Sequence, residues 1–373
     1  MRSAIAFSNA AIIWSGGRRD PLTAFDEWSK LLFARVYDER NTPNGAAREF
    51  QVGTKETTAA VANRIHRLFQ TACKADELIF PMGTRINLPD TKLTEVVRCL
   101  EEISFTATDV DSIGKAFEHF FGSVFRGELG QYFTMRQLAR FTVGVLDVTK
   151  DDYVLDPTAG SGGFLLEALL QTWHKIDAGF SGQDEISRLR IDFAYHHVFG
   201  IEIHEVLARI CKINLLLHHD GHSNIEASRS CLDAVFANHK MKLGNFDKIV
   251  GNPPFGDDVE EGDEDKLGTN KLSNFKVALG RTRVDSEQVI LERAVDFLRP
   301  GGKLGSGTSR RIVEQPRGNI ELSRYPSLSC YERSHIGHRI ATRLCISKIG
   351  RPEQDLDLVL PEVSRARKVR LPT

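Results

Sequence analysis

Residues 246–255 have the sequence FDKIVGNPPF, and this stretch decides the fold class. The apolar run at 248–250 predicts a buried β-strand that ends in a tight loop at 251–256. Pro253 and Pro254 fix φ at two successive residues and remove two backbone donors, and the residue before each proline is pushed to extended geometry. Such a loop holds one amide side chain, one carbonyl and one aromatic ring rigidly at the carboxyl end of the strand. In an open α/β sheet, ligands bind at that end.

A second stretch, DYVLDPTAGSGGF at residues 152–164, repeats the order of strand followed by loop. It predicts a strand, an acidic turn at Asp156, a glycine-rich loop and a helix over 164–173. Glycines permit positive φ and let a ligand approach the backbone closely, and a helix N-terminus aims free N–H groups into the same space. The loop lacks the Gly-Lys-Ser/Thr ending of a P-loop and the spacing of a dinucleotide fingerprint. The Asp-Pro at its start favours a ligand with a positively charged or amine-bearing end.

A third strand is predicted at 197–203, a short apolar run in which Glu202 is the acidic residue. A carboxylate at the end of the strand that follows the glycine-rich loop in the chain is the usual partner of ribose hydroxyls, because it accepts hydrogen bonds from both hydroxyls. The helix predicted at 205–219 runs into a His-rich cluster, HHDGH at 218–222. These histidines either bind a metal or, as the pattern favours, lie exposed to solvent at a helix end, so no metal site is predicted.

Composition places the chain among ordinary globular proteins. It has 373 residues, of which 41% are hydrophobic and 27% charged, with a formal net charge of -1. This length allows two or three domains, and any field that attracts nucleic acid must be local. The six cysteines form no CxxC pair, which is typical of reduced thiols in a cytoplasmic protein. No stretch is long and apolar enough to predict a membrane span.

The apolar pattern divides the chain into four parts. Residues 1–20 are predicted to be an unstructured N-terminus, 21–125 a helical domain, and 126–305 an α/β domain. Residues 306–373 form an atypical tail, in which Arg far outnumbers Lys and no periodicity is clear. Within this frame we expect a polar excursion at 177–190 and a mobile acidic loop from 256 to 265.

Three motifs, in their order along the chain, resemble those of the amino-methylating S-adenosylmethionine-dependent DNA methyltransferases. They are GELGQYFT at 127–134, DPTAGSGGF at 156–164 and NPPF at 252–255. More narrowly, residues 100–305 resemble the modification subunit of type I restriction-modification systems. The resemblance implies a Rossmann-like α/β methyltransferase sheet with an N-terminal helical domain. One departure is Met135, which stands where the family commonly has proline.

The resemblance also implies S-adenosyl-L-methionine as the cofactor and assigns residues to it. The segment at 131–134 would line its methionine end, Asp156 would engage its amino group directly or through water, and the glycine loop would wrap it. Glu202 would hold the ribose hydroxyls and Asp233 the adenine amino group. The full cofactor set is Gln131, Tyr132, Phe133, Thr134, Asp156, Pro157, Thr158, Gly160, Gly162, Gly163, Glu202 and Asp233.

The predicted catalytic residues are Asn252, Pro253, Pro254 and Phe255. A nucleobase amine is a weak nucleophile because its lone pair is delocalised into the ring. The Asn252 side-chain oxygen and the Pro253 carbonyl would accept its two N–H groups and favour a pyramidal nitrogen, with the methyl donor in line and at near-attack distance. Phe255 would stack on the target base, which must be flipped out of the duplex.

The resemblance therefore implies methyl transfer to the N6 amino group of adenine in double-stranded DNA. A specificity subunit and a restriction subunit of a type I system would be the partners, since no target-recognition module is evident. Three alternatives stay open: methylation of cytosine N4, methylation of a protein glutamine amide, and an inactive cofactor-binding remnant. For the tail, the hypothesis is a truncated or frame-shifted sequence after the strand that begins at Lys303; a basic arm that contacts DNA phosphates is the alternative.

Overall fold

The structure, a computed structural model, describes residues 21–43, 45–105, 134, 136–218, 221–254, 256–307, 343–348 and 356–357. Several sequence predictions lie outside these residues: the unstructured 1–20 and the roles of Gln131, Tyr132, Phe133 and Phe255.

Within the described residues, the N-terminal helical domain contains three helices: α1 (Pro21–Asn41), α2 (Thr58–Ala75) and α3 (Asp90–Leu100). Helix α2 begins where the Thr57 hydroxyl accepts from the backbone N–H of Ala60 at 3.2 Å, an N-cap that satisfies one orphan donor. Its apolar residues recur at helical spacing and are buried against α1 and α3, with Phe33, Phe69 and Phe80 forming an aromatic cluster. The amphipathic pattern thus produces a helix bundle with its own core.

In the part of the chain that is described, the α/β domain is built on a sheet of seven strands in the order β3-β2-β1-β4-β7-β8-β9. The first five strands in that order are parallel, and β8 and β9 are antiparallel to their neighbours. The strands are β1 (Val154–Asp156), β2 (Val198–Glu202), β3 (Ile225–Ala227), β4 (Phe246–Gly251), β7 (Leu298–Gly307), β8 (Arg343–Lys348) and β9 (Leu356–Asp357), while β5 (Asp258–Glu260) and β6 (Arg283–Asp285) form a separate hairpin.

Helices cover both faces of the sheet, as expected for mostly parallel strands. They are α4 (Arg136–Leu146), α5 (Gly163–Gly179), α6 (Gln183–His196), α7 (Glu205–Leu217), α8 (Glu264–Leu267) and α9 (Ser286–Phe297). Alternate strand residues serve the two faces: Val154, Val198 and Val250 pack with α4 to α7, whereas Leu155, Phe199 and Ile249 pack with α9 and the hairpin. The strands are therefore apolar on both faces, and this explains why each of them reads in the sequence as a continuous apolar run.

The structure differs from the sequence expectations in three places. The polar segment at 177–190 lies largely in helix α6, whose buried face consists only of Ile186, Phe193 and Ala194. The acidic segment expected to be a mobile loop contains β5 and α8, and β5 is held by its pairing with β6. The strand predicted to begin at Lys303 is part of β7, which extends to Gly307 and pairs with β8 from the tail; the sequence pattern does not predict β8 and β9. Whether the tail is a frame-shift product stays a prediction, as do the domain boundaries.

Helix α7 joins the two domains. Its residues Leu207, Ile210 and Ile213 belong to the core of the helical domain, while Ala208, Cys211 and Leu215 belong to the core of the α/β domain. Polar clamps reinforce the contact: Lys212 Nζ donates to the carbonyl of Leu78 at 2.6 Å, Arg40 donates to that of Leu216 at 2.6 Å, and Arg209 pairs with Asp26 at 3.1 Å.

Among the described helices, none combines the length and apolarity needed to cross a membrane.

Candidate active site at the carboxyl edge of the sheet

Three loops meet where the central parallel strands end. Asp156 ends β1, Glu202 ends β2, and Asn252 follows β4 directly. Strand β1 lies between the other two, and its register pairs Asp156 with Gly200 and Leu155 with Ile249. Because the strands are parallel and in register, their carboxyl ends place these three side chains at one edge.

Asp156 is a carboxyl group buried at the centre of this edge. Its exposed fraction is 1%, and its Oδ1 accepts from the backbone N–H of Thr158 at 3.0 Å. Burial raises the pKa of Asp156 to about 8, and the nearby Glu202 adds to the increase, against the backbone hydrogen bond. A cationic group bound here would stabilise the ionised carboxylate, because an opposite charge favours the charged form.

Glu202 holds the glycine loop while keeping acceptor capacity. One of its oxygens accepts from the backbone N–H of Gly160 at 2.8 Å, and the other accepts from that of His204 at 2.8 Å. Burial raises the pKa of Glu202, with the backbone donors acting in the opposite direction. A carboxylate offers about four lone-pair sites, so the two contacts leave acceptor sites for a diol.

The glycine loop has a backbone that requires two of its glycines. Gly160 and Gly162 have φ of 53° and 82°, values that only glycine adopts readily. A Cβ on Gly162 would also lie 2.8 Å from the Cys211 sulfur of α7. Helix α5 begins at the next residue, Gly163, so its first N–H groups face the space above the loop. The predicted loop and helix start are confirmed.

The Asn-Pro-Pro loop lies beside the glycine loop. A Cβ on Gly251, the residue before Asn252, would lie 3.0 Å from Asp156 Oδ1, so the β1 and β4 loops are in close contact. Pro253 is buried and shares a small cavity with Pro157 of the glycine loop. Asn252 is half-buried, and within the described residues neither its amide nor the Pro253 carbonyl has a hydrogen-bond partner. Two acceptors are therefore free at the edge.

The remaining predicted residues differ in how far the structure places them. Thr134 is half-buried shortly before α4, and Pro254 lies within the loop, its carbonyl 3.5 Å from Ser286 Oγ. Asp233 is 4% exposed, and its Oδ1 accepts from the backbone N–H of Thr269 at 2.8 Å, so it fixes a turn after α8. Its role toward a cofactor stays a prediction.

The prediction of solvent-exposed histidines at 218–222 is wrong for His218 and His222, and His219 lies outside the described residues. His218 is fully buried, with its Nδ1 2.6 Å from the carbonyl of Asn214, and His222 is 5% exposed and 2.8 Å from Asp76. Both are buried because α7 packs against the helical domain, a long-range contact that helical periodicity does not reveal. No group of three or more metal-binding side chains occurs in the part of the chain that is described.

Sequence reasoning missed the residues beneath the site. Asn214, on α7, donates from Nδ2 to the carbonyl of Ser161 at 3.0 Å, and Cys211 packs under Gly162. Both lie about 50 residues after the loop they support. Their spacing of three residues on one helix places them on one face, but nothing in the sequence indicates which loop that face meets.

This arrangement defines a class of protein: a Rossmann-like methyltransferase fold with buried carboxyl groups at the ends of the first two strands and an Asn-Pro-Pro loop after the fourth. Comparison with known families gives the assignment. Residues 108–305, over half of the chain, match the model of the family described as N-6 DNA Methylase. The chain belongs to that family.

Relatives in sequence agree with the family assignment, and a solved structure shares the fold. The chain is 30% identical to the type I restriction enzyme MjaVII methylase subunit of Methanocaldococcus jannaschii, over 48% of this chain and 28% of the relative. It is 26% identical to the EcoEI methylase subunit of Escherichia coli, over 60% and 44%. The chain thus spans less than half the length of these relatives. The type I restriction-modification methyltransferase subunit of Streptococcus thermophilus shares the fold, with a TM-score of 0.59 at 15% identity, over 94% of this chain and 85% of that one.

Proposed function

We propose that this chain transfers a methyl group from S-adenosyl-L-methionine to the N6 amino group of adenine in DNA, as the modification subunit of a type I restriction-modification system. The observation that carries the proposal is the juxtaposition of Asn252, with its free amide oxygen, and the buried Asp156, at the ends of adjacent parallel strands. Membership of the N-6 DNA Methylase family supports the same reaction.

The residues present fit this cofactor. Asp156 offers a buried carboxyl group for its amino group, and Glu202 retains acceptor sites for its ribose hydroxyls. Thr158 Oγ1 is a buried hydroxyl without a partner in the described residues, and Gly160, which has positive φ, carries no Cβ that would keep a ligand away from the loop backbone. A buried polar atom without a partner is the kind of group that a ligand satisfies. When bound, the cofactor supplies an electrophilic methyl group on a sulfonium.

The protein's own residues orient the acceptor amine. Asn252 Oδ1 and the Pro253 carbonyl accept the two N–H groups of the adenine amine, which draws its lone pair out of conjugation. Pro253 and Pro254 hold this geometry because their φ values are fixed, so the amine meets acceptors that need no rearrangement. Holding the amine in this orientation increases the rate of methyl transfer, because the reacting groups are already positioned.

DNA and the other subunits of the system complete the proposal. The net charge of -1 does not favour long-range attraction to DNA, so a specificity subunit would deliver the target duplex. A restriction subunit would join the same assembly. These partners follow from the resemblance of the motifs to type I modification subunits, and the similarity to methylase subunits of type I restriction enzymes supports such an assembly.

The test is methyl transfer to DNA by the full chain together with a type I specificity subunit from the same genome. Wild type is expected to transfer tritiated methyl groups to adenine N6, as checked by nucleoside analysis. Asn252→Ala should bind the cofactor normally by calorimetry but lose transfer by 100-fold or more, an order of magnitude taken from the loss of one oriented acceptor.

Asn245→Ala is a matched control. Asn245 lies at the amino end of the same strand and donates to the carbonyl of Lys240 at 2.7 Å, so its loss removes one hydrogen bond away from the site. Asn245→Ala should retain transfer. Label on cytosine N4 or on protein glutamine would replace the proposed substrate with one of the alternatives, and full activity in Asn252→Ala would refute the role of the loop.

A further inference from the structure

Helix α7 lies directly beneath the glycine loop. Asn214 Nδ2 donates to the carbonyl of Ser161 at 3.0 Å, and the sulfur of Cys211 fills the space that a Cβ on Gly162 would take. The two α7 residues are one helical turn apart and contact successive loop residues. The loop therefore rests on a platform formed by a helix that follows it by about 50 residues.

Asn214 is an unusual choice for a position inside the protein. Its exposed fraction is 4%, and its Oδ1 has no hydrogen-bond partner within the described residues. A buried acceptor without a partner destabilises the folded state, and an apolar side chain of the same size would fill the space without this cost. Packing alone does not explain an asparagine here, whereas the bond to the Ser161 carbonyl does.

We infer that Asn214 is a positioning residue for cofactor binding: it fixes the Ser161 carbonyl and so holds the glycine loop in the shape that receives the ligand. The inference rests on the proposed function, since it concerns the same site. In the loop, Gly160 and Gly162 have positive φ. Glycine populates many other backbone conformations as well, so these two residues also leave this conformation readily. The amide of Asn214 supplies a fixed anchor between these two flexible residues.

The loop has further anchors that Asn214 does not supply. The Gly160 N–H donates to Glu202 at 2.8 Å, and the Ala159 N–H donates to the carbonyl of Ile201 at 2.9 Å. These bonds tie the first half of the loop to β2. The Asn214 bond ties Ser161 to α7, so its loss should loosen residues 160–162 while leaving β1 and β2 in place.

The experiment compares Asn214→Leu with wild type and with a matched control, Asn224→Leu, in the full chain. Asn224 donates to the carbonyls of Tyr195 at 2.7 Å and Val198 at 3.1 Å, at the amino end of β2 and away from the site. Three quantities are measured: the Kd for S-adenosyl-L-methionine by calorimetry, the melting temperature, and hydrogen exchange of the backbone amides at 159–162 in the ligand-free protein.

For Asn214→Leu we expect a Kd that is about 2- to 10-fold higher, the effect of one neutral hydrogen bond. The melting temperature should be unchanged or higher, because the variant also removes the unpaired Oδ1, and amide exchange should accelerate at 160–162 alone. Asn224→Leu should lower the melting temperature and leave the Kd unchanged. Opposite changes in affinity and stability separate a positioning residue from a merely structural one.

An unchanged Kd with unchanged loop exchange in Asn214→Leu would overturn the inference and leave the proposed function intact. A Kd and a melting temperature that worsen together, with faster exchange across the domain, would also overturn it, since Asn214 would then be structural. If wild type itself fails to bind the cofactor, the proposed function fails, and faster loop exchange in Asn214→Leu would then support only the anchoring of the loop.

Discussion

Substitution of Gly162 by alanine tests the contact between the glycine loop and α7. At φ of 82° an alanine carries a left-handed strain of about 1–2 kcal/mol. Its Cβ would lie 2.8 Å from the sulfur of Cys211, and this overpacking costs roughly 1–3 kcal/mol. Gly162→Ala should therefore lower the free energy of unfolding by about 2–5 kcal/mol, measured by urea denaturation with an unchanged m-value.

A double-mutant cycle with Cys211→Ala separates the two contributions. Removing the sulfur makes room for the new Cβ but leaves the backbone strain, so the double variant should recover about 1–3 kcal/mol relative to the sum of the single effects. Gly163→Ala is the control, because nothing lies within 4 Å of a Cβ at that position; it should be neutral or stabilising. A coupling energy below about 0.5 kcal/mol would refute the packing of Cys211 against the loop.

Three further predictions concern other residues. Because burial raises the pKa of Asp156 to about 8, the folded state holds a proton that the unfolded chain loses near pH 4. The free energy of unfolding should therefore fall as pH rises from about 4 to about 8. In urea titrations, Asp156→Asn should be more stabilising at pH 8 than at pH 5. Binding of a cationic amine at Asp156 should release a proton near pH 6.5. The release would appear as a dependence of the calorimetric binding enthalpy on the ionisation enthalpy of the buffer. The same proton release in Asp156→Asn would contradict the proposal that Asp156 binds the amine. Arg35, fully buried, donates to the carbonyls of Leu100 at 3.3 Å and Ile103 at 2.7 Å, and its guanidinium lies 3.6 Å from the buried carboxylate of Glu39. Arg35→Met removes the positive charge beside this buried carboxylate and should cost about 3 kcal/mol of unfolding free energy. A cost below about 1 kcal/mol would show that these contacts are dispensable for stability.

The parts of the fold that the sequence predicted are those encoded locally. The apolar run before Asn252 and the Asp-Pro-glycine pattern at 156–163 specify a strand, a loop and a helix start within a few residues, and β4, β1 and α5 follow. The carboxyl ends of β1 and β4 lie together because the two strands are parallel neighbours, and this pairing joins residues about 94 positions apart, which no local pattern encodes.

The features that escaped prediction depend on contacts between distant segments. Asn214 and His218 look like ordinary polar residues near a helix end until α7 is packed between two domains. Helix α6 is polar on most of its surface and needs only a narrow apolar face. The pairing of β7 with β8 joins residues about 40 positions apart, and no local pattern specifies such a partner.

The position of α7 has a thermodynamic consequence. One face of this helix supports the glycine loop through Asn214, and another is clamped to the helical domain through Arg209 and Lys212. A ligand whose binding to the helical domain displaces α7 must change the affinity of the loop for its own ligand, and linkage requires the reverse effect to have the same factor. Titrating each ligand in the presence of the other would give this coupling free energy directly, and Lys212→Met, which releases one clamp, should reduce it.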